Sequence, residues 1–385
     1  MEENNLVGAT EIVAETSMSD KRSNNEITPS QKRNVWVDLF RYILAFLVVC
    51  IHFKSPLLPT VLAPMYSLAV PLFFMMSGFY SYHSNENENL PKSKKAIVRN
   101  LRYLGVAVAI YVVLNIIFLF VNSPKDGTAF AEYFLSFFNR DAFYNLVIRN
   151  EIPGKFPPTY ALWFMVALFE ISVFHYVMVK FNTTRCYPYI ACSGIVVYMF
   201  VAYYSKYVSD ISIPLHLLRN WIFFGIPCFA IGYMLKKLLT RFEPKRQFKI
   251  KWVFLWVALA ILFWGLTLLE AKFIGELEYY LSSILSSVAF LVFFDYVGNI
   301  TRRARFEAFE KGLSNFFYNW IGVGGAFYIY VLHVAVGSIL VKYTSKQPYV
   351  IVVFLISFGF YAATYLLAQL VKYLLQKNKR SHSMT

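Results

Sequence analysis

Charge is what this chain is short of: Asp, Glu, Lys and Arg make up 15% of its 385 residues, against 58% hydrophobic and 19% aromatic. Its mean hydropathy is +0.49. Such a composition excludes an ordinary soluble domain and indicates an all-α, polytopic integral membrane protein. Cysteine is scarce as well. Cys50, Cys186, Cys192 and Cys228 form no CxxC pair and have no histidine cluster at metal spacing, so no disulfide framework and no metal are expected. The thiols read as packing residues. There is no P-loop and no GxSxG elbow, and Gly322, Gly324 and Gly325 lack the spacing and strand context of a dinucleotide fingerprint. No internal repeat signals duplicated halves.

Acidic residues are the scarcer charge, 22 against 37 basic, which gives a formal charge of +15. The basic excess falls between apolar runs, where it reports topology, and no nucleic-acid partner is expected. Residues 1–33 are polar, hold no apolar signal region and read as a disordered cytoplasmic tail. Apolar runs of spanning length follow near 36–53, 61–82, 102–122, 159–180, 187–205, 219–239, 252–270, 279–299, 322–342 and 348–375, about ten transmembrane helices. With the N-terminus cytoplasmic, 26 of the 37 Lys and Arg fall on inner segments and ten on outer ones. That asymmetry fits both termini in the cytoplasm, with residues 34–376 as the transmembrane domain and 377–385 as a short inner tail. The long outer loop, 123–158, holds TAFAEYFLSFFNRDAFYNLVIRN, whose apolar positions suit a helix in the membrane interface, either a lid or a surface connector.

The stretch DLFRYILAFLVVCIHF, Asp38 to Phe53, is where the chain departs from a generic membrane protein. Arg41 and His52 stand in an apolar row eleven residues apart. On a helix that puts them on nearly one face, roughly 16 Å apart along the axis. Asp38, one turn before Arg41, orients it or caps the helix. Each alone has a plainer reading: Arg41 snorkelling to the inner interface, His52 at the outer one. Together on one face they describe a polar path through a bundle. Arg99 and Arg102 share a face at the expected inner start of the third span. They are topology charges or an anion clamp, in which guanidinium forks and a helix N-terminus hold a phosphate-bearing donor. In VPLFFMMSGFY, Pro71 is expected in mid-helix, and Ser77 and Gly78 allow a neighbouring helix close. Glu170, near mid-bilayer, needs a partner or a function, and Asp295 reads as interfacial. His333 lies at mid-depth after Tyr328 and Tyr330, as a satisfied structural histidine or a substrate contact.

Several stretches together resemble the membrane-bound acyltransferase-3 family: Arg41 and His52 with Asp38 before them, FFMMSGF at 73–79, Arg99 to Arg102, LWFM at 162–165, and YIYVLH ending at His333. They occur in family order from 38 to 333. The resemblance implies transfer of an acyl group, usually acetyl from acetyl-CoA as co-substrate, to a hydroxyl of a cell-surface polysaccharide or lipid-linked glycan at the cell membrane. It makes His52 the essential histidine, with Arg41 and Asp38 beside it on the first helix. It makes Arg99 and Arg102 the donor-binding arginines; Trp163, Tyr330, His333 and Glu170 are, from their own positions in the chain, the candidates for substrate contact. Glu170 departs from the WSLxxE spacing of one branch of the family. The chemistry agrees, since acyl transfer to an alcohol needs a base and imidazole serves near neutrality. A secondary transporter is the rival reading, with the same buried charges binding a solute or proton. The topology predicts that cysteines placed at Ser209 and Gln347 react with an impermeant reagent on intact cells, and that one at Gln247 does not. Labelling of Gln247 from outside overturns the orientation.

Overall fold

The computed structural model describes residues 34–53, 63–122, 127–150, 152, 158–159, 162–207, 218–242, 250–275, 277, 279–303, 312, 325–345 and 348–382. The expected tail at 1–33 lies outside them. Among the described residues the fold is entirely helical, and nine helices are long and apolar enough to cross a membrane. In chain order the elements are α1 (Val35–His52), α2 (Ala63–Tyr66), α3 (Ala69–Phe79), α4 (Glu86–Asn122), α5 (Gly127–Leu135), α6 (Arg140–Tyr144), α7 (Trp163–Lys180) and α8 (Tyr187–Tyr207). There follow α9 (Ile226–Phe242), α10 (Ile250–Ile274), α11 (Leu281–Arg303), α12 (Gly325–Thr344) and α13 (Val350–His382). The chain is a multi-pass membrane protein.

Two expectations need correction. The second span is not one helix: it breaks between α2 and α3, where the Ser67 hydroxyl turns back to donate to the Pro64 carbonyl at 2.6 Å. Pro71 therefore sits in the first turn of α3, where its missing N–H costs nothing, and not in mid-helix. The second correction concerns α4, whose 37 residues reach about 55 Å against a hydrocarbon core of about 30 Å. The apolar part starts after Arg102, and the preceding polar turns are a helix made for water, held by the Glu88–Lys92 ion pair one turn apart. Arg99 and Arg102 are thus more than three turns inside α4, and no helix N-terminus lies beside them to join the expected clamp. Before α4, Lys92 Nζ donates to His83 Nδ1 at 3.2 Å. Burial, with Lys92 adding to it, holds the His83 imidazole below its ordinary range, so it is neutral at pH 7 and able to accept. In the loop expected outside, α5 and α6 carry large apolar side chains out of the bundle, Leu135 at 67% and Phe143 at 70% exposure, as an interfacial segment requires. Residues 123–126, 151 and 153–157 of that loop lie outside the described set.

Between helices, hydrophobic burial supplies little drive in lipid, so close backbone approach and polar contacts hold the bundle. At the crossing of α3 and α9 a Cβ on Gly78 would overlap the Phe229 carbonyl, and one on Gly232 would overlap the Met75 carbonyl. The two backbones touch because both positions are glycine. Beyond this crossing Lys236 of α9 reaches Asp295 of α11 at 2.9 Å. Asp295 thereby has a charged partner across two helices. The hairpin of α10 and α11 is joined by hydroxyls: Ser286 donates to the Ala260 carbonyl at 2.8 Å. Glu270 of α10 accepts from Leu281 N at 2.8 Å and Ser282 N at 2.9 Å, which caps the start of α11. Gly265, on α10, has open space around it.

Replacing Gly265 by Ala should therefore leave thermal stability in mild detergent unchanged or slightly higher, since Ala is the better helix former by about 1 kcal/mol. Gly232→Ala should cost about 1–3 kcal/mol through overpacking, read as a lower melting temperature. Equal melting temperatures for the two variants would contradict the crossing.

Candidate active site

Two helices running in the same direction bring two imidazoles together. Gly325 and Gly337 of α12 leave space that the rings of Tyr42 and Phe53 fill, and a Cβ at either glycine would overlap them. These two contacts are three turns apart on both helices, so α12 follows α1 along its length. Between them His333 of α12 stacks against His52, the last residue of α1, with ring centroids 5.1 Å apart and planes tilted by 34°. Phe53 closes one side, edge-on to His333 at 6.4 Å. His333 is fully buried, and His52 is half-buried.

The hydrogen bond at His333 fixes its tautomer. Nδ1 lies 2.5 Å from the Tyr330 carbonyl, and a carbonyl only accepts, so Nδ1 carries the proton. Nε2 is left as a bare lone pair, buried and without a hydrogen-bond partner among the described residues. Tyr330, one turn before, packs its ring 5.8 Å from His333 and 5.2 Å from Phe164. The Tyr111 hydroxyl of α4 donates to the Val331 carbonyl at 2.9 Å and fixes α12 at this level. Trp163 begins α7 and meets Phe74 and Phe224 at 6.1 and 5.7 Å.

Arg219 is the member of the cluster that sequence reasoning missed. Its guanidinium carbon stands 5.8 Å from the centre of the Trp163 ring, a cation–π contact. The charge acts on both His52 and Tyr330. It had been counted only as an outer-loop charge, and the one sequence signal was an arginine and asparagine directly before Trp221 at the head of a span. Asn220 accepts from Ile222 N and Phe223 N, both at 2.9 Å, and fixes the π-helical turn Trp221–Gly225 from which Arg219 projects back.

The other candidates are dispersed. Asp38, nearly buried, pairs with Arg41 at 2.5 Å, and the arginine also lies 6.0 Å from the Tyr80 ring. This ion pair is at the opposite end of α1 from His52, as the spacing predicts. Arg99 and Arg102 are exposed on α4, where with Lys94, Lys95, Pro91, Val98 and Tyr103 they line an open groove of about 640 Å³. Glu170 joins neither group. Its carboxylate accepts from Asn150 Nδ2, while Asn150 Oδ1 accepts from Trp221 N at 3.1 Å. Asn150 is fully buried in a left-handed conformation, φ 56°, a geometry that asparagine tolerates. Glu170 thus ties the outer loop to the turn before α9. His175, five residues on, shares a hydrogen bond with the Tyr187 hydroxyl at 2.8 Å inside an aromatic cage and reads as structural.

The structure therefore brings together His52, His333 and Tyr330, with Arg219 linking them to Trp163, and leaves Glu170, the Asp38–Arg41 pair and the Arg99–Arg102 groove apart from them. A base with an adjacent proton acceptor, lined by aromatic rings and a fixed cation, is equipped to deprotonate a hydroxyl and to tolerate negative charge as it develops. No curated protein and no solved structure matches the chain. A family model described as an acyltransferase domain matches residues 34–370, nearly the whole length, and it covers the histidine pair, the basic groove and every spanning helix. The chain belongs to the acyltransferase-3 family and is a membrane acyltransferase.

Proposed function

We propose that the protein moves an acyl group, acetyl in the simplest case, from cytoplasmic acyl-CoA to a hydroxyl of a cell-surface polysaccharide or lipid-linked glycan, in the cell membrane. The observation that carries the reading is the His52–His333 pair, at the opposite end of α1 from the Asp38–Arg41 ion pair. His52 takes the proton of the acceptor hydroxyl as its oxygen attacks the thioester carbonyl. The tetrahedral oxyanion collapses, the C–S bond breaks, and the CoA thiolate receives the proton from the imidazolium. The ester and free CoA are the products.

The donor half of the reading rests on the α4 groove. Four cations on one water-exposed helix, Lys94, Lys95, Arg99 and Arg102, suit the phosphates of CoA, and the two guanidinium groups suit bidentate binding. The pantetheine arm, narrow and weakly polar, then enters between the helices while the nucleotide stays in water. Arg41, held by Asp38, stands at the inner end of α1 as the first charge the arm would meet. Trp163 and Tyr330 offer aromatic faces to a sugar ring, and Glu170 contributes through the outer loop it anchors.

His52→Ala should abolish acyl transfer while the protein remains folded in the membrane, as judged by its yield and melting temperature. Full activity of that variant would end the proposal. Arg99→Lys with Arg102→Lys keeps the charge but loses the fork, so acetyl-CoA binding to the purified protein should weaken by about tenfold or more. Binding equal to that of the parent, or no binding of acetyl-CoA by either protein, would contradict the donor site.

A further inference from the structure

We propose that the acceptor is a vicinal diol, whose reacting hydroxyl donates to His52 and whose neighbouring hydroxyl donates to Nε2 of His333. This rests on the acyl-transfer reading above and deepens it by naming what the acceptor must carry.

The argument starts from an unmet acceptor. A buried nitrogen lone pair without a donor loses the hydrogen bond it would have in water, at a cost of about 1–3 kcal/mol. Such groups are rare in native structures. The other buried side-chain atoms without a partner among the described residues are N–H or hydroxyl groups, such as Tyr279 Oη and Ser357 Oγ, whereas His333 Nε2 can only accept. It cannot be relieved by changing tautomer, because its Nδ1 proton is committed to the Tyr330 carbonyl. Among the described residues no donor completes this site, and a ligand hydroxyl arriving from outside the fold would.

Position limits the kind of donor. The two imidazole rings are tilted by 34° with centroids 5.1 Å apart, so a ligand engaging both has to offer two donors held close together. Neighbouring hydroxyls on a sugar ring do so. An isolated primary hydroxyl has no companion and would leave His333 unmet when bound. Phe53 and Tyr330 set their rings against His333, aromatic surface that suits the C–H face of a sugar. His333 is on this account a positioning residue: it sets which hydroxyl reaches His52 and takes no proton itself.

The test uses membranes that contain the native acceptor and either the parent chain, His333→Gln or His333→Leu. Gln keeps an acceptor oxygen near the place of Nε2 but is no base, and Leu keeps the bulk alone. With radiolabelled acetyl-CoA, transfer by the Gln variant should stay within about threefold of the parent, and transfer by the Leu variant should fall about tenfold, the loss of one hydrogen bond. Acetyl-CoA binding to the purified variants should be unchanged. The product, isolated at mildly acidic pH to suppress ester migration and read by NMR, should carry acetate on a carbon next to one with a free hydroxyl. If the Gln and Leu variants fall equally, or if the acetate sits on an isolated hydroxyl, the proposal is overturned while acyl transfer from acetyl-CoA stands. If the parent neither binds nor transfers acetyl, the underlying reading fails and the diol proposal fails with it.

Discussion

Inside hydrocarbon a polar group has no water to fall back on, and matching each one within the fold is the constraint on which this structure depends. The solutions differ by place. Lys236 answers Asp295 across two helices, Glu270 caps α11, Asn150 answers Glu170 and Trp221 together, and the serines of α11 give their protons to backbone carbonyls. Against that background the bare Nε2 of His333, without a partner among the described residues, is the observation on which the diol proposal rests. Glu170 has its partner in Asn150, whereas His333 Nε2 is a buried acceptor without one among the described residues, which is why this histidine, and not Glu170, draws the functional argument.

Two glycine contacts hold the functional pair in place. Gly325 against Tyr42 and Gly337 against Phe53 bring α12 close enough to α1 that two imidazoles from opposite ends of the sequence meet. A related device, glycine admitting a neighbour's backbone in place of a ring, joins α3 to α9 at Gly78 and Gly232. Stability and function thus share one means in this bundle, which follows from the weakness of apolar association in lipid. On α4 the logic reverses: the basic groove stands in water, beyond the apolar part of the helix, where a phosphate-bearing ligand can reach it without desolvating its own charge.

Much of this was legible from residue order. Apolar length alone located the nine long helices, and the Arg41–His52 spacing singled out α1. FFMMSGF announced a close approach through Gly78, which the contact with Phe229 bears out. What was not legible depended on partners distant in sequence or on polar helix. The role of Glu170 is set by Asn150, twenty residues away in a loop, and Arg219 looked like any loop cation until Trp163 was found beneath it. The start of α4 at Glu86 escaped because hydropathy registers apolar runs, and ENENLPKSKK is a helix stabilised by ion pairs and water. The break between α2 and α3 was hidden for the converse reason, since the helices on both sides of Ser67 and Leu68 are apolar enough to read as one run.

The account's central claim is that donor and acceptor meet at the histidine pair after the donor has been anchored on α4. A structure of the full-length protein determined in a lipid disc with CoA bound tests this most directly. The account predicts the phosphates against Arg99 and Arg102, with the pantetheine arm running between the helices and the sulfur next to His52 and His333. CoA held elsewhere, or a sulfur that stops short of the two imidazoles with the arm fully ordered, would contradict it.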